Sequence, residues 1–224
     1  MIRTAMKCCL ALALTAGVVS SSRAADIVTM PTANTLKAGQ VQVAYYHLWL
    51  DYRAVGAPEH LGLGTIYYGA TDRLQLDAWV TRPGRGSGSL VLNPSFVLVK
   101  ESSSAPNIVV GAQDVANALD YKTSAYLAMA KTITNSERKL LPMVRLHLGA
   151  GTNMNHGVFG GLETTLYGPL GAVVTYSQND KILDNRHVIA GLTFTFPHMP
   201  VVLKGGVLGR HTWVGIAYTM DFSK

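Results

Sequence analysis

Apolar and polar residues alternate with a period of two along most of the chain, most clearly in its last stretch. In residues 212–222 the even positions, from Val214 to Phe222, are apolar or aromatic, whereas the odd positions are mostly small or polar. A period of two over this length is typical of a β-strand with one apolar face. A tilted strand of ~9–11 residues is also long enough to cross a bilayer.

Similar segments recur along the chain, separated by stretches rich in Gly, Pro, Asn, Asp and Ser. Pro94 lies inside one segment and lacks a backbone N–H, so it predicts a bulge or an interruption there. The predicted strands are residues 40–52, 60–68, 74–81, 90–100, 107–114, 124–134, 143–152, 158–167, 170–178, 186–196, 201–209 and 212–222.

The faces of these segments predict a membrane barrel. In the middle of one strand, Gln75 and Asp77 alternate with Leu74 and Leu76, so the polar and apolar side chains point to opposite faces. This arrangement suits a barrel with a polar interior and an apolar outside. Short connections predict antiparallel pairing of neighbours, and pairing of the first strand with the last would leave no edge unsatisfied in lipid. The predicted fold is all-β, a single antiparallel up-and-down transmembrane β-barrel of about 12 strands, within a range of about 10 to 14.

The N-terminus has the layout of a secretory signal peptide. Arg3 and Lys7 precede an apolar run, residues 8–19, and small residues follow up to Ala24 and Ala25, near which cleavage is expected. The predicted organisation is a signal peptide at 1–24, an entry segment at 25–38 and the barrel domain at 39–224.

Composition agrees with this organisation. Of the 224 residues 48% are hydrophobic and 14% are charged, against about 25% charged in ordinary soluble domains. No apolar run of ~18 residues follows the signal, so no helical span is expected. Both cysteines, Cys8 and Cys9, lie in the signal, which predicts a mature protein without thiols or disulfides. The sequence shows no basic patch interleaved with aromatic residues, so no nucleic-acid partner is expected.

Catalytic and metal motifs are not evident. The seven histidines are scattered, and no His-x-x-x-His or His-Glu-x-x-His spacing occurs, so neither a metal nor a cofactor is predicted. An outer-membrane lipid-modifying enzyme is a less favoured alternative, because neither His147 nor His156 belongs to a His-x-Ser-Asn run. The prediction is that the protein is not an enzyme.

The polar residues expected to face the interior are the candidate functional site. Opposed carboxylates and cations across a pore shape its field and select solutes. The same residues could instead pair with one another and fill a narrow interior, because charges held away from water must be paired. The predicted lumen-lining residues are Asp77, Arg145, His147, Glu163 and Asp221.

Aromatic residues near strand ends form a second group. We expect them to form interfacial girdles or to pack, rather than to build a ligand box. They are Tyr45, Tyr46, Trp49, Tyr67, Tyr68, Trp79, Tyr167 and Trp213.

Several segments together resemble the YjbH-like outer-membrane β-barrel family, which is porin-like and linked to exopolysaccharide production. They are IVTMPTANTLKAGQ (27–40), PNIVVGAQD (106–114), SAYLAMAKTI (124–133), RLHLGAGTN (145–153), GVFGGLE (157–163) and TYSQND (175–180). The resemblance implies a porin-like or structural barrel of a Gram-negative-type outer membrane, associated with envelope or exopolysaccharide export.

The expected partners follow from that location. They are outer-membrane lipids, the barrel-assembly machinery and components of polysaccharide export. The alternative function is a secreted soluble β-barrel that binds a small apolar ligand. The side of the barrel that faces water distinguishes the membrane hypothesis from the soluble one. A soluble barrel would carry its polar strand residues on the outside, namely Gln75, Asp77, Arg145 and Glu163.

Overall fold

A computed structural model gives the fold. It describes residues 30–49, 60–83, 88–119, 122–133, 143–180 and 185–223. The predicted signal peptide and its cleavage site lie outside the described residues.

Twelve β-strands make up the described chain. They are β1 Gln40–Trp49, β2 His60–Gly69, β3 Leu74–Pro83, β4 Ser89–Val99, β5 Asn107–Gln113, β6 Ser124–Ile133, β7 Val144–Gly151, β8 Gly157–Tyr167, β9 Leu170–Asp180, β10 Asn185–Thr195, β11 Val201–Leu208 and β12 His211–Asp221. A 3₁₀ helix, Asn153–Asn155, lies between β7 and β8.

Each strand pairs antiparallel with its neighbour in the chain, and the sheet closes on itself. The closing pair is β1 with β12, in register from Gln40 opposite Asp221 to Trp49 opposite Thr212. The predicted fold class is therefore confirmed. We call the end where β1 begins and β12 ends the proximal end, and the opposite end the distal end.

Strand β4 corrects the prediction made at Pro94. The strand runs through Pro94, which lies opposite Leu76 of β3, and its ladder with β5 begins only at Ser95. A missing N–H is tolerated there because the pairing with β5 does not extend to Pro94. The irregularity of this strand lies further on, between Val97 and Val99.

The wall of the barrel has an apolar outer face and a mixed inner face. Among the described residues, alternate positions of most strands expose large aliphatic side chains, including Val43, Ile66, Val80, Leu92, Leu148, Val174, Leu192 and Ile216. The intervening positions are buried and often polar, including Gln42, Gln75, Asp77, Asn93, Arg145, His147, Thr175 and Lys204. This is the distribution of a barrel that faces lipid outside and polar groups inside.

The aromatic residues separate into an outer and an inner set. Trp49 is exposed at the distal end, whereas Tyr68 and Tyr167 are exposed at the proximal end. Tyr45 is exposed midway along β1. The eight-residue rise along β1 from Val41, opposite Tyr68, to Trp49 gives a height of about 20 Å for a strand tilted by ~40°. Two girdles at this spacing fit the apolar band of about 25 Å expected of a membrane barrel.

The inner set consists of Tyr46, Tyr67, Trp79 and Trp213, all of which are almost completely buried. Glycines make room for such rings, because a methyl group built at Gly215 would overlap the ring of Tyr46 on the paired strand. Tyr46, Trp79 and Trp213 belong to a continuous apolar cluster that also contains Met30, Met154 and Phe159. Tyr67 packs separately against Leu36. The interior is therefore packed with side chains.

No helix in the described parts of the chain is both long and apolar enough to cross a membrane.

The outward position of Leu148 gives a test of the lipid-facing wall. This side chain lies midway along β7 and is 55% exposed. We expect Leu148→Arg to reduce assembly strongly, because an arginine on the lipid face near the bilayer midplane costs about 2–4 kcal/mol. The measurement is the amount of heat-modifiable protein recovered in the outer-membrane fraction.

Ser103→Arg, in the exposed connection between β4 and β5, provides the matched control and should assemble normally. Equal recovery of the two variants would contradict a lipid-facing wall at Leu148.

Candidate functional site: the occupied lumen

The chain that precedes β1 turns back into the barrel. Gly39, with a φ of +76°, makes the turn, and its N–H donates to the carbonyl of Gly69 at 2.8 Å. A left-handed φ of this kind favours glycine. Met30, Ala33 and Leu36 are then buried, at 3%, 0% and 3% exposed. We call residues 30–38 the plug segment; they are the described part of the predicted entry segment.

The plug segment crosses the lumen from one side of the barrel to the other. The Leu36 N–H donates to Gln75 Oε1 of β3 at 2.8 Å, and Asn107 Nδ2 of β5 donates to the Ala33 carbonyl. Asn34 reaches β7 and β8. Because β7 lies opposite β1 in a ring of twelve strands, these contacts span the width of the barrel.

Asn34 joins the plug segment to a charged network on the far wall. Its Oδ1 accepts from Arg145 Nε at 2.7 Å, and its Nδ2 donates to Glu163 Oε1 at 3.1 Å. Glu163 Oε1 also lies 3.2 Å from His147 Nε2. We call Asn34, Arg145, His147 and Glu163 the latch network. Charges this deeply buried persist because each has a polar or charged partner.

Glu101 extends the latch network to the proximal rim. It lies in the connection between β4 and β5, where its Oε2 pairs with Arg145 Nη1 and its Oε1 accepts from the Thr132 N–H at 2.6 Å. Partial burial raises the pKa of Glu101, but the hydrogen bonds and charge of Arg145, with the bond from Thr132, outweigh it and hold the pKa below the usual 4.5. The carboxylate is therefore ionised at neutral pH.

At the distal end, two connections fold inward. Asp114 is fully buried, and its carboxylate accepts from the N–H groups of Ala118 and Leu119 at 2.6 and 2.9 Å. Leu119 packs against the core of the barrel, and the 3₁₀ helix places Met154 in the same core. The described parts of these connections narrow the lumen from the side opposite the plug segment.

A buried cation lies near the closing seam. Lys204 of β11 is 8% exposed, and its Nζ lies 3.2 Å from Tyr46 Oη and 5.6 Å from the centroid of the Tyr46 ring. The Tyr46 ring in turn lies 6.3 Å from the ring of Trp213. A hydrogen bond and a cation–π contact thus stabilise the same ammonium group.

The structure gathers three of the five predicted site residues in one place. Arg145, His147 and Glu163 form the latch network with Asn34. Asp77 lies apart on the inner face of β3, 8% exposed, opposite Tyr67 and Asn93. Asp221 lies at the proximal end of β12, where it accepts hydrogen bonds from Gln40 Nε2, the Ser223 N–H and Ser223 Oγ.

Sequence reasoning missed the plug-segment side of the site. Asn34 and Leu36 lie outside any periodic segment, and only their partners Arg145, Glu163 and Gln75 carried a signal, as polar residues on inward faces. Among the described residues, no group of three or more His, Cys, Asp or Glu side chains could hold a metal ion.

Fold and site define the class: a closed antiparallel β-barrel of twelve strands whose lumen holds its own N-terminal segment.

Comparisons add little to this class. No family model matches the chain, and no curated protein matches it. Among solved structures, the chain is similar to an outer membrane channel from Pseudomonas putida F1, with 14% identity, 84% of this chain and 97% of that chain covered, and a TM-score of 0.39. A likeness this low carries no argument about function.

Ionisation of Glu101 gives a pH-dependent prediction. Because the pKa of Glu101 is lower in the folded barrel, its pairing stabilises the protein above about pH 4.5 and is lost as the pH falls through the folded pKa. Glu101→Gln keeps an acceptor for Thr132 but loses the charge. We expect the variant to unfold at a lower temperature than the natural protein at pH 7, with a difference that shrinks below pH 4.5.

The measurement is the temperature at which the folded, fast-migrating gel band disappears, taken at several pH values. A difference between the two proteins that does not depend on pH would show that the Glu101 charge does not stabilise the barrel.

Proposed function

We propose that the protein is a porin-like barrel of the outer membrane whose narrow lumen is closed by the plug segment and passes small solutes when that segment shifts. The proposal is supported by the way in which the plug segment is attached to the barrel wall. The bonds that hold Ala33, Asn34 and Leu36 to the wall each involve a side chain. Such bonds break singly, whereas the strand ladders of the wall need not change.

The membrane location is supported by the two faces of the wall. Exposed aliphatic residues cover the outside, and Gln75, Asp77 and Arg145 are buried inside. A soluble barrel would show the opposite arrangement, so this distribution disfavours the soluble ligand-binding alternative. A closed β-barrel is also one of the two structures that satisfy every backbone polar group in lipid. The partners we propose are outer-membrane lipids and the barrel-assembly machinery.

The finer role we propose is an association with export of an envelope exopolysaccharide and with the components that carry it out. Support comes from the resemblance of segments such as 27–40 and 145–153 to the YjbH-like family. A strain that lacks the protein should release less extracellular polysaccharide, and the natural gene should restore the amount. Unchanged polysaccharide would remove this association and leave the solute path untouched.

Asn34→Ala tests the plug segment directly. The change removes bonds to both Arg145 and Glu163, so we expect the plug segment to leave its closed position more often. Loss of one such bond costs about 1.5–3 kcal/mol when a charged group takes part. This cost shifts the equilibrium between the closed and the shifted position of the plug segment by about tenfold or more. The measurements are ion conductance in planar bilayers and swelling of liposomes in small neutral solutes, both of which should increase.

Thr35→Ala is the matched control, because it shortens the neighbouring side chain of the same segment without touching Asn34. It should behave like the natural protein. If Asn34→Ala assembled normally and its conductance stayed at the level of Thr35→Ala, the plug segment would not gate the lumen.

A further inference from the structure

Three buried polar atoms on the inner wall of β2, β3 and β4 have no hydrogen-bond partner. They are Thr65 Oγ1, Trp79 Nε1 and Asn93 Nδ2, in side chains that are 2%, 2% and 3% exposed. Thr65 lies directly opposite Trp79 in the ladder of β2 with β3. Asn93 lies opposite Asp77, two residues from Trp79 on the same face. We call Thr65, Asp77, Trp79 and Asn93 the inner-wall patch.

Such atoms are costly in the closed barrel. Each buried donor or acceptor left without a partner costs about 1–3 kcal/mol, and folded proteins contain few of them. None of the three atoms is reached by solvent in this state. Three on adjacent strands therefore point to a second state in which a ligand or water reaches and satisfies them.

The plug segment covers this region of the wall. Leu36 packs on Tyr67, which lies opposite Asp77, and the Leu36 N–H is bound to Gln75 on the same face of β3. Met30 and Ala33 belong to the apolar cluster that contains Trp79. Movement of the plug segment would therefore expose the inner-wall patch to whatever enters the lumen.

The groups in the inner-wall patch restrict the chemistry of the ligand. The N–H groups of Trp79 and Asn93 require acceptors, and the Thr65 hydroxyl can both donate and accept a hydrogen bond. The bond from the Asp114 N–H to Asn93 Oδ1, at 2.9 Å, fixes the amide so that its NH₂ is the free end. An anion would be repelled by Asp77, and a simple cation would leave the N–H donors unsatisfied. Hydroxyl groups both donate and accept.

We propose that the inner-wall patch binds an uncharged, hydroxylated ring, the chemistry of a neutral sugar, when the plug segment has shifted. The indole of Trp79 offers the flat apolar surface on which the ring stacks, and its N–H, the Asn93 amide and the Thr65 hydroxyl bind the ring hydroxyls. The proposal rests on the proposed function and names the class of solute that the opened lumen accepts.

Saturation-transfer NMR on the purified full chain in detergent tests the inner-wall patch without requiring conductance. The probes are glucose and glucuronate, which share a ring and differ in charge. With the Asn34→Ala protein we expect glucose to bind about tenfold more tightly than glucuronate, and more tightly than to the natural protein. Equal binding of the two sugars, or no binding of glucose, would overturn the proposal.

Two near-isosteric variants in the Asn34→Ala background identify the site. Trp79→Phe removes the indole N–H and keeps a ring, and Thr65→Val removes the hydroxyl and keeps the shape. Each should weaken glucose binding about fivefold, the effect of one hydrogen bond. The matched control is Trp213→Phe, because Trp213 Nε1 is also buried and without a partner but lies on β12. A loss in Trp213→Phe equal to that in Trp79→Phe would overturn the assignment to the inner-wall patch.

Ion current through the Asn34→Ala protein separates the two proposals. Current without glucose binding would remove the sugar site and leave the solute path. Glucose binding without any current would support the site and remove the solute path. Heat-modifiable migration of every variant establishes that each barrel has folded before it is compared.

Discussion

The structure depends on the rule that every backbone N–H and C=O group within a bilayer must be paired by the protein itself. A sheet meets this rule only when its first and last strands pair, and here β1 and β12 do so over their whole length. Closure with twelve strands leaves an interior that must be filled by side chains, water or another part of the chain. Inward aromatic residues such as Tyr46 and Trp213 fill part of it, and the plug segment fills part of the rest.

The filled interior explains why charged side chains are stable inside the barrel. Arg145 and Glu163 lie opposite each other in the ladder of β7 with β8, the amide of Asn34 bonds to both, and Glu101 pairs with the guanidinium. Removal of the Asn34 amide would leave each of these two charged groups with one partner fewer, which is costly in a buried site. Under the proposed function, the same residues hold the closed state and line the open one.

The wall of the barrel could be predicted from the sequence, because the pattern that defines each strand is local. A period of two follows from the pleat of each strand, so the inward positions of Asp77, Arg145 and His147 and the outward position of Leu148 follow from parity alone. Strand bounds agreed to within a residue or two wherever the structure describes them. The same alternation predicts that Trp79 points inward, because it shares a face with Gln75 and Asp77.

The position of the plug segment could not be predicted from the sequence, because it depends on partners far away in the chain. Asn34 meets Arg145 across 111 positions and Glu163 across 129, and no periodicity marks residues 30–38. The continuity of β4 at Pro94 likewise depends on where the neighbouring ladder begins, which only the assembled sheet defines.

The position of the plug segment next to β1 has a consequence for biogenesis. Its neighbour β1 pairs with β12, the strand at the other end of the described chain. Without β12 the lumen would be open along its whole side, with Met30 and Leu36 on an unsealed surface. Closure of the wall by β1 and β12 and enclosure of the plug segment are therefore a single event.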